Sequence, residues 1–155
     1  MGVISRLAAI SAAFAMTLSP AQALAQDPGS ALKLRELDIM LMVSALRCRF
    51  GPDGFQADYD RFSTAHVSMM NEAGNTLKAD LSLRYGAKGA VRELDRISVG
   101  LANRYGQGHP WLDCAGLKQV TEELARETEP LAMLAAAENL LAPSPPARMA
   151  QLVRR

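Results

Sequence analysis

Cys48 and Cys114 are the only cysteines of the sequence, 66 residues apart, and their fate depends on the compartment the chain reaches. The N-terminus predicts export. Met1 to Ser5 has no acidic residue, and Arg6 adds positive charge to the free amino group. Leu7 to Leu18 is apolar apart from Ser11 and Thr17, and Ser19-Pro20 breaks the run. Ala23-Leu24-Ala25 then matches a small-x-small cleavage pattern, with Gln26 as first mature residue. The apolar run of about 12 residues falls short of the roughly 20 needed to span a bilayer. No cysteine follows the cleavage site to carry a lipid. The only Arg-Arg pair, Arg154-Arg155, is at the wrong end for a twin-arginine signal. The expectation is a signal peptide over residues 1–25 and a periplasmic or secreted protein with no stable membrane insertion.

Export decides the cysteines. An even cysteine count in an oxidising compartment predicts a Cys48–Cys114 disulfide. Closing a loop of that length is worth roughly 4 kcal/mol in the chain-entropy model. The competing readings are an intermolecular disulfide or a reactive thiol, since Cys114 falls at a predicted helix N-terminus, where thiol pKa values drop. There is no Cys-x-x-Cys to suggest a redox enzyme.

Cleavage after Ala25 leaves 130 of the 155 residues, enough for one domain. It removes one of 17 basic residues and none of the 16 acidic ones, so the mature chain is formally neutral. Neutrality with interspersed charges gives no footprint for nucleic acid or an anionic membrane.

Helical periodicity runs through the remainder. Ser30 is a candidate cap for a first helix from Ala31 to Arg49, apolar over most of its circumference and therefore predicted central. Gly51-Pro-Asp-Gly54 is a turn. A second helix is predicted from Gln56 to Tyr85, burying Tyr59, Phe62, Met69, Ala73, Leu77 and Leu81. Gly74-Asn75 is its expected weak point, and Gly86 lies just past its end. A third, Ala90 to Arg104, presents Val91, Leu94, Ile97, Ser98, Leu101 and Tyr105 at helical spacing. A fourth, from Asp113 as cap to Thr128, buries Leu117, Val120 and Leu124. Glu129-Pro130 opens a fifth, reaching Leu141, with proline in the tolerated first turn. No segment shows strand alternation with hairpin turns. The predicted fold is an all-α bundle of four to five helices over residues 26–142, tied by the disulfide and followed by a flexible Pro-rich tail, 143–155.

The densest chemical signal is Asn103 to Cys114 (NRYGQGHPWLDC), which holds the single Trp and one of two His. Functionally, His109 is a candidate general acid, base or ligand, with Tyr105 and Trp111 walling a binding pocket. Structurally, the glycines allow a tight interhelical turn and Trp111 plugs the bundle end. Gly106-x-Gly108 follows a helix and lacks a third glycine, so it is not a dinucleotide fingerprint. His66 precedes Met69 and Met70 by three and four residues, within helical reach, a set seen in copper or haem bundles and equally in ordinary cores. Asp53, Asp58 and Asp60 invite a hydrolase reading, but Asp58 and Asp60 are two apart and do not face each other on a helix; charge favouring the helix dipole explains them more simply. Glu122, Glu123 and Glu127 read as an exposed face with Lys118 and Arg126. No nucleophile elbow, His-Glu-x-x-His or phosphate-binding loop is present, and no metal or cofactor is implied.

Leu37 to Arg49 (LDIMLMVSALRCR) and Ser98 to Cys114 resemble a family of short exported proteins from sphingomonad-type alphaproteobacteria. The resemblance covers most of residues 31–141. Members often carry the name S-adenosyl-L-homocysteine hydrolase. That activity belongs to a much larger NAD-dependent α/β enzyme of the cytoplasm. This chain has neither the glycine fingerprint nor the βαβ pattern, and no catalytic residue carries over. Three expectations remain: a non-catalytic periplasmic module binding a protein or small ligand, a small envelope hydrolase built around the Tyr105–Trp111 loop, or a metal- or haem-binding bundle using His66 and Met69.

Overall fold

The computed structural model describes residues 27–146. The predicted signal peptide and residues 147–155 of the predicted tail lie outside the described residues.

The first helix, α1, spans Pro28–Arg47. It starts earlier than the Ser30 cap predicted, because Asp27-Pro28 is the stronger start signal. The Asp27 carboxylate accepts the Ser30 N–H at 2.8 Å, and Pro28 brings a preset φ where no amide donor is needed. The helix ends with Cys48 as C-cap. Its residues from Ala31 to Ala45 are buried on several sides, and α1 packs on each of the other four helices. It is the central element that its near-continuous apolar surface predicts.

The predicted second helix divides in two. Helix α2 spans Gln56–Ala65 and α3 begins at Val67. The break falls at His66, with φ −110° and ψ 13°, while Gly74 and Asn75 stay inside regular helix. Glycine costs a helix about 1 kcal/mol, and the burial of Ala73 and Leu77 on either side outweighs that. His66 turns inward, with its ring 5.1 Å from that of Phe62 and its Nε2 on the Leu124 carbonyl.

Helix α3 covers Val67–Gly106, interrupted at Gly86, the predicted end of the second helix. Gly86 has φ 67° and ψ 168°, a region essentially reserved for glycine. The chain resumes as helix at once, without waiting for Ala90. The buried stripe of the second half runs through Ala90, Leu94, Leu101 and Tyr105. Val91, expected inside, is one residue off that stripe and is 54% exposed.

Helices α4, Cys114–Leu124, and α5, Pro130–Leu140, complete the bundle. Asp113 caps α4 as predicted, accepting the Gly116 N–H at 2.9 Å. The helix stops at Leu124, before Thr128, where the His66 ring meets its last carbonyl. Pro130 opens α5 in the first-turn position. Among the described residues there is no strand, and no helix is long and apolar enough to cross a membrane.

Phe55, Phe62, Leu37, Met40, Leu41, Met133 and Leu140 are the large side chains most completely enclosed by the five helices. Polar ties register the helices around this core. Glu36 on α1 accepts both Arg104 (2.7 Å) and the Tyr105 hydroxyl (2.8 Å) from α3. Asp38 accepts the Tyr59 hydroxyl of α2 at 3.0 Å. Asp58, buried in the first turn of α2, pairs with Arg61 and with Lys118 Nζ of α4 at 2.9 Å.

Cys48 and Cys114 form the predicted disulfide, with Cα atoms 5.8 Å apart, joining the end of α1 to the start of α4. Its removal in the Cys48→Ala/Cys114→Ala double variant is expected to lower unfolding free energy by about 4 kcal/mol, read from urea denaturation. An unchanged midpoint would show that the bond contributes no stability.

Candidate functional site

Residues Gln107 to Asp113 connect α3 to α4 and hold the chemistry singled out in the sequence. The connection turns on Gly108, whose φ is 111°, a value open to glycine. The Arg47 guanidinium lies beside Gly108, where a Cβ would make ordinary contact with the guanidinium carbon at 3.4 Å. Arg47 NH1 donates to the Gly106 carbonyl at 3.3 Å.

His109 is held at both ring nitrogens. Nε2 sits 2.9 Å from the carbonyl of Leu140, the last residue of α5. A carbonyl can only accept, so Nε2 carries the proton. Nδ1 is then the acceptor, and it takes the Leu112 N–H at 3.1 Å, with the Trp111 N–H farther off at 3.4 Å. Burial pushes the His109 pKa down from its ordinary 6.5, opposed by the bond to Leu140. A second proton would sit on Nδ1 and face the Leu112 N–H donor.

Trp111 extends the same clasp. Its ring meets His109 edge to face at 4.7 Å, and Nε1 donates to the Ala142 carbonyl at 3.0 Å. The loop thus takes up the last carbonyl of α5 and one just past its C-cap Leu141. Tyr105 does not join this group. Its hydroxyl is engaged with Glu36, and burial together with that carboxylate raises its pKa to about 12, keeping it a protonated donor.

The other histidine does the same work elsewhere. His66, 8% exposed, donates from Nε2 to the carbonyl of Leu124, the last residue of α4, at 2.8 Å. Met69 and Met70 pack against the apolar core. Among the described residues no three His, Cys, Asp or Glu side chains are grouped to hold a metal ion. Asp58 and Asp60 are separated in role: Asp58 is in the buried ion pairs and Asp60 accepts from Gln56 at 3.3 Å. Glu122 lies between Lys118 and Arg126 on the surface of α4, as the charge pattern predicts.

One concave site adjoins the clasp. A cavity of about 250 Å³ opens between the end of α1 and the start of α4. Ser44, Arg47 and the disulfide form one side. Gln107, Gly108, His109, Leu112 and Asp113 of the loop and Leu117 of α4 form the rest. His109 and the loop were visible in sequence as site candidates. Arg47, Ser44 and Leu117 were not, because they meet the loop only through the packing of α1 on α4 and the disulfide between them.

The clasp makes a pH prediction. His109 has a lower pKa folded than unfolded, so the unfolded chain binds more protons. Its contribution to stability is complete above about 6.5 and is lost as pH falls through the folded pKa. His109→Phe keeps a ring against Trp111 but leaves the Leu112 N–H without its acceptor, costing about 1–3 kcal/mol. Urea denaturation across pH should show that cost above neutrality and a smaller gap between the two proteins in acid. A constant gap would contradict it.

No family model, curated protein or solved structure matches the chain.

Proposed function

We propose that the protein is an exported, non-catalytic binding module that holds a small ligand in the cavity at the disulfide-tied end of the bundle. The observation that carries this reading is the state of His109. A general base needs an unshared lone pair and a general acid a proton it can release. At His109 the lone pair of Nδ1 accepts the Leu112 amide, and the proton of Nε2 is given to Leu140. The wall it builds is nevertheless concave, with a guanidinium, a carboxylate and a primary amide beside apolar Leu112 and Leu117. Convergent polar groups in a mainly preformed hollow are what small-molecule recognition requires.

The envelope-hydrolase reading needs one nitrogen of His109 freed from its bond. The metal or haem reading needs further ligands gathered at Nδ1 of His66, since Nε2 is spent on Leu124. The binding reading asks for neither. Export is part of the proposal: the apolar leader with its Ala23-Leu24-Ala25 pattern and the intramolecular disulfide both suit the periplasm or the outside of the cell. The reading also groups the chain with the short exported alphaproteobacterial proteins it resembles, without the hydrolase activity their name carries.

Native mass spectrometry of the protein recovered from a periplasmic extract tests both parts. The expected species begins at Gln26, carries the internal disulfide and holds one noncovalent small molecule. Gln107→Trp, at an exposed position on the cavity, should lose that molecule while remaining folded. A leader still attached would overturn cleavage after Ala25, and absence of the protein from the periplasmic and secreted fractions would overturn the export assignment. A wild-type protein with an empty cavity, or one that turns over cell-wall or metabolite substrates, would overturn the binding reading.

A further inference from the structure

The geometry points to a small aliphatic zwitterion, of the free α-amino acid class, as the ligand of this cavity. The inference rests on the reading of the cavity as a binding site and specifies its occupant.

Arg47 and Asp113 each precede one half of the disulfide, so the bond that ties Cys48 to Cys114 brings a cation and an anion to one cavity. Among the described residues neither takes part in an ion pair, with each other or with any third group, although eight pairs form elsewhere in the domain. Both are exposed residues, and each makes one hydrogen bond that leaves part of its charged group open to a ligand. Arg47 spends one N–H on the Gly106 carbonyl at 3.3 Å, and its guanidinium lies beside Gly108. Asp113 spends Oδ1 on the Gly116 N–H as the cap of α4, and its second oxygen has no hydrogen-bond donor among the described residues.

The two charges sort ligands by elimination. A simple anion gains from Arg47 and is repelled by Asp113. A simple cation meets the reverse. A neutral apolar molecule leaves both charges without a partner, which is unfavourable wherever water is displaced. A molecule bearing carboxylate and ammonium together satisfies both, the carboxylate on the Arg47 fork and the ammonium on the free oxygen of Asp113. Leu112, Leu117 and the disulfide sulfurs supply the apolar remainder for an aliphatic side chain. Size agrees. A volume of about 250 Å³ lies below the roughly 300–1,000 Å³ of sites for drug-sized ligands, and at about 30 Å³ per water it corresponds to roughly eight waters.

The test is calorimetric titration of the oxidised mature protein, with Trp111 fluorescence as a second readout. The probes are L-leucine, L-valine, N-acetyl-leucine, leucinamide, isovalerate and isopentylamine. The two amino acids should bind, and each probe lacking one charge should bind at least about tenfold more weakly, the loss of one charged hydrogen bond. Asp113→Asn retains an oxygen to cap α4, so it should keep its helical circular dichroism and still lose at least about tenfold in leucine affinity. Arg47→Gln should lose as much. Single-charge probes binding within about threefold of leucine, or Asp113→Asn binding leucine normally, would overturn the zwitterion assignment and leave the cavity as a binding site. A native ligand of another class with no amino acid binding would do the same. No binding by any probe, with an empty cavity in periplasmic protein, would overturn the binding reading itself.

Discussion

The Cys48–Cys114 bond is the constraint around which one end of this bundle is organised. It fastens the C-cap of the central helix to the first residue of α4. Arg47 and Asp113 come together because they precede the bridged residues. The loop leading into Cys114 is thereby held close enough to α5 for His109 to reach Leu140 and Trp111 to reach Ala142. One covalent tie and two side-chain-to-carbonyl bonds thus join the ends of α1 and α5 to the start of α4. The cavity is the space these ties leave between α1 and α4.

Both histidines solve the same physical problem. A helix ends with carbonyls that have no amide to accept. His109 supplies a donor to the last residue of α5, and His66 a second donor to the last residue of α4, whose carbonyl also accepts the Glu127 N–H at 3.2 Å. Neither helix ends on glycine, the usual device for redirecting those groups. This is a use of imidazole that needs no titration. Both rings are engaged in the framework, while the charged groups left without an ion-pair partner among the described residues are the less conspicuous Arg47 and Asp113.

Much of this was readable in advance wherever the signal was local. The all-round apolar surface of α1 marks a central helix. Asp113 and Pro130 announce the starts of α4 and α5, Gly86 marks the interruption of α3, and an even cysteine count behind an export-type leader predicts the disulfide. What was hidden depended on tertiary partners. Nothing near His66 in sequence shows that its ring bonds to Leu124, so the sequence places the break at Gly74-Asn75. Asp58 looked like ordinary helix-start charge because Lys118, its partner at 2.9 Å, is 60 residues away. Val91 was misplaced because the buried side of the second half of α3 runs through Ala90, one residue before it. For the site, the Tyr105–Trp111 segment was conspicuous by composition, yet Tyr105 turns to Glu36 and away from the cavity.

The central claim is that His109 is a fixed structural donor whose ring builds a binding wall and performs no acid–base chemistry. Long-range ¹H–¹⁵N correlation spectra of the imidazole nitrogens at neutral pH test it most directly. The account predicts for His109 a single neutral tautomer, protonated at Nε2 and bare at Nδ1. A ring protonated at Nδ1, doubly protonated, or averaging between tautomers would contradict it.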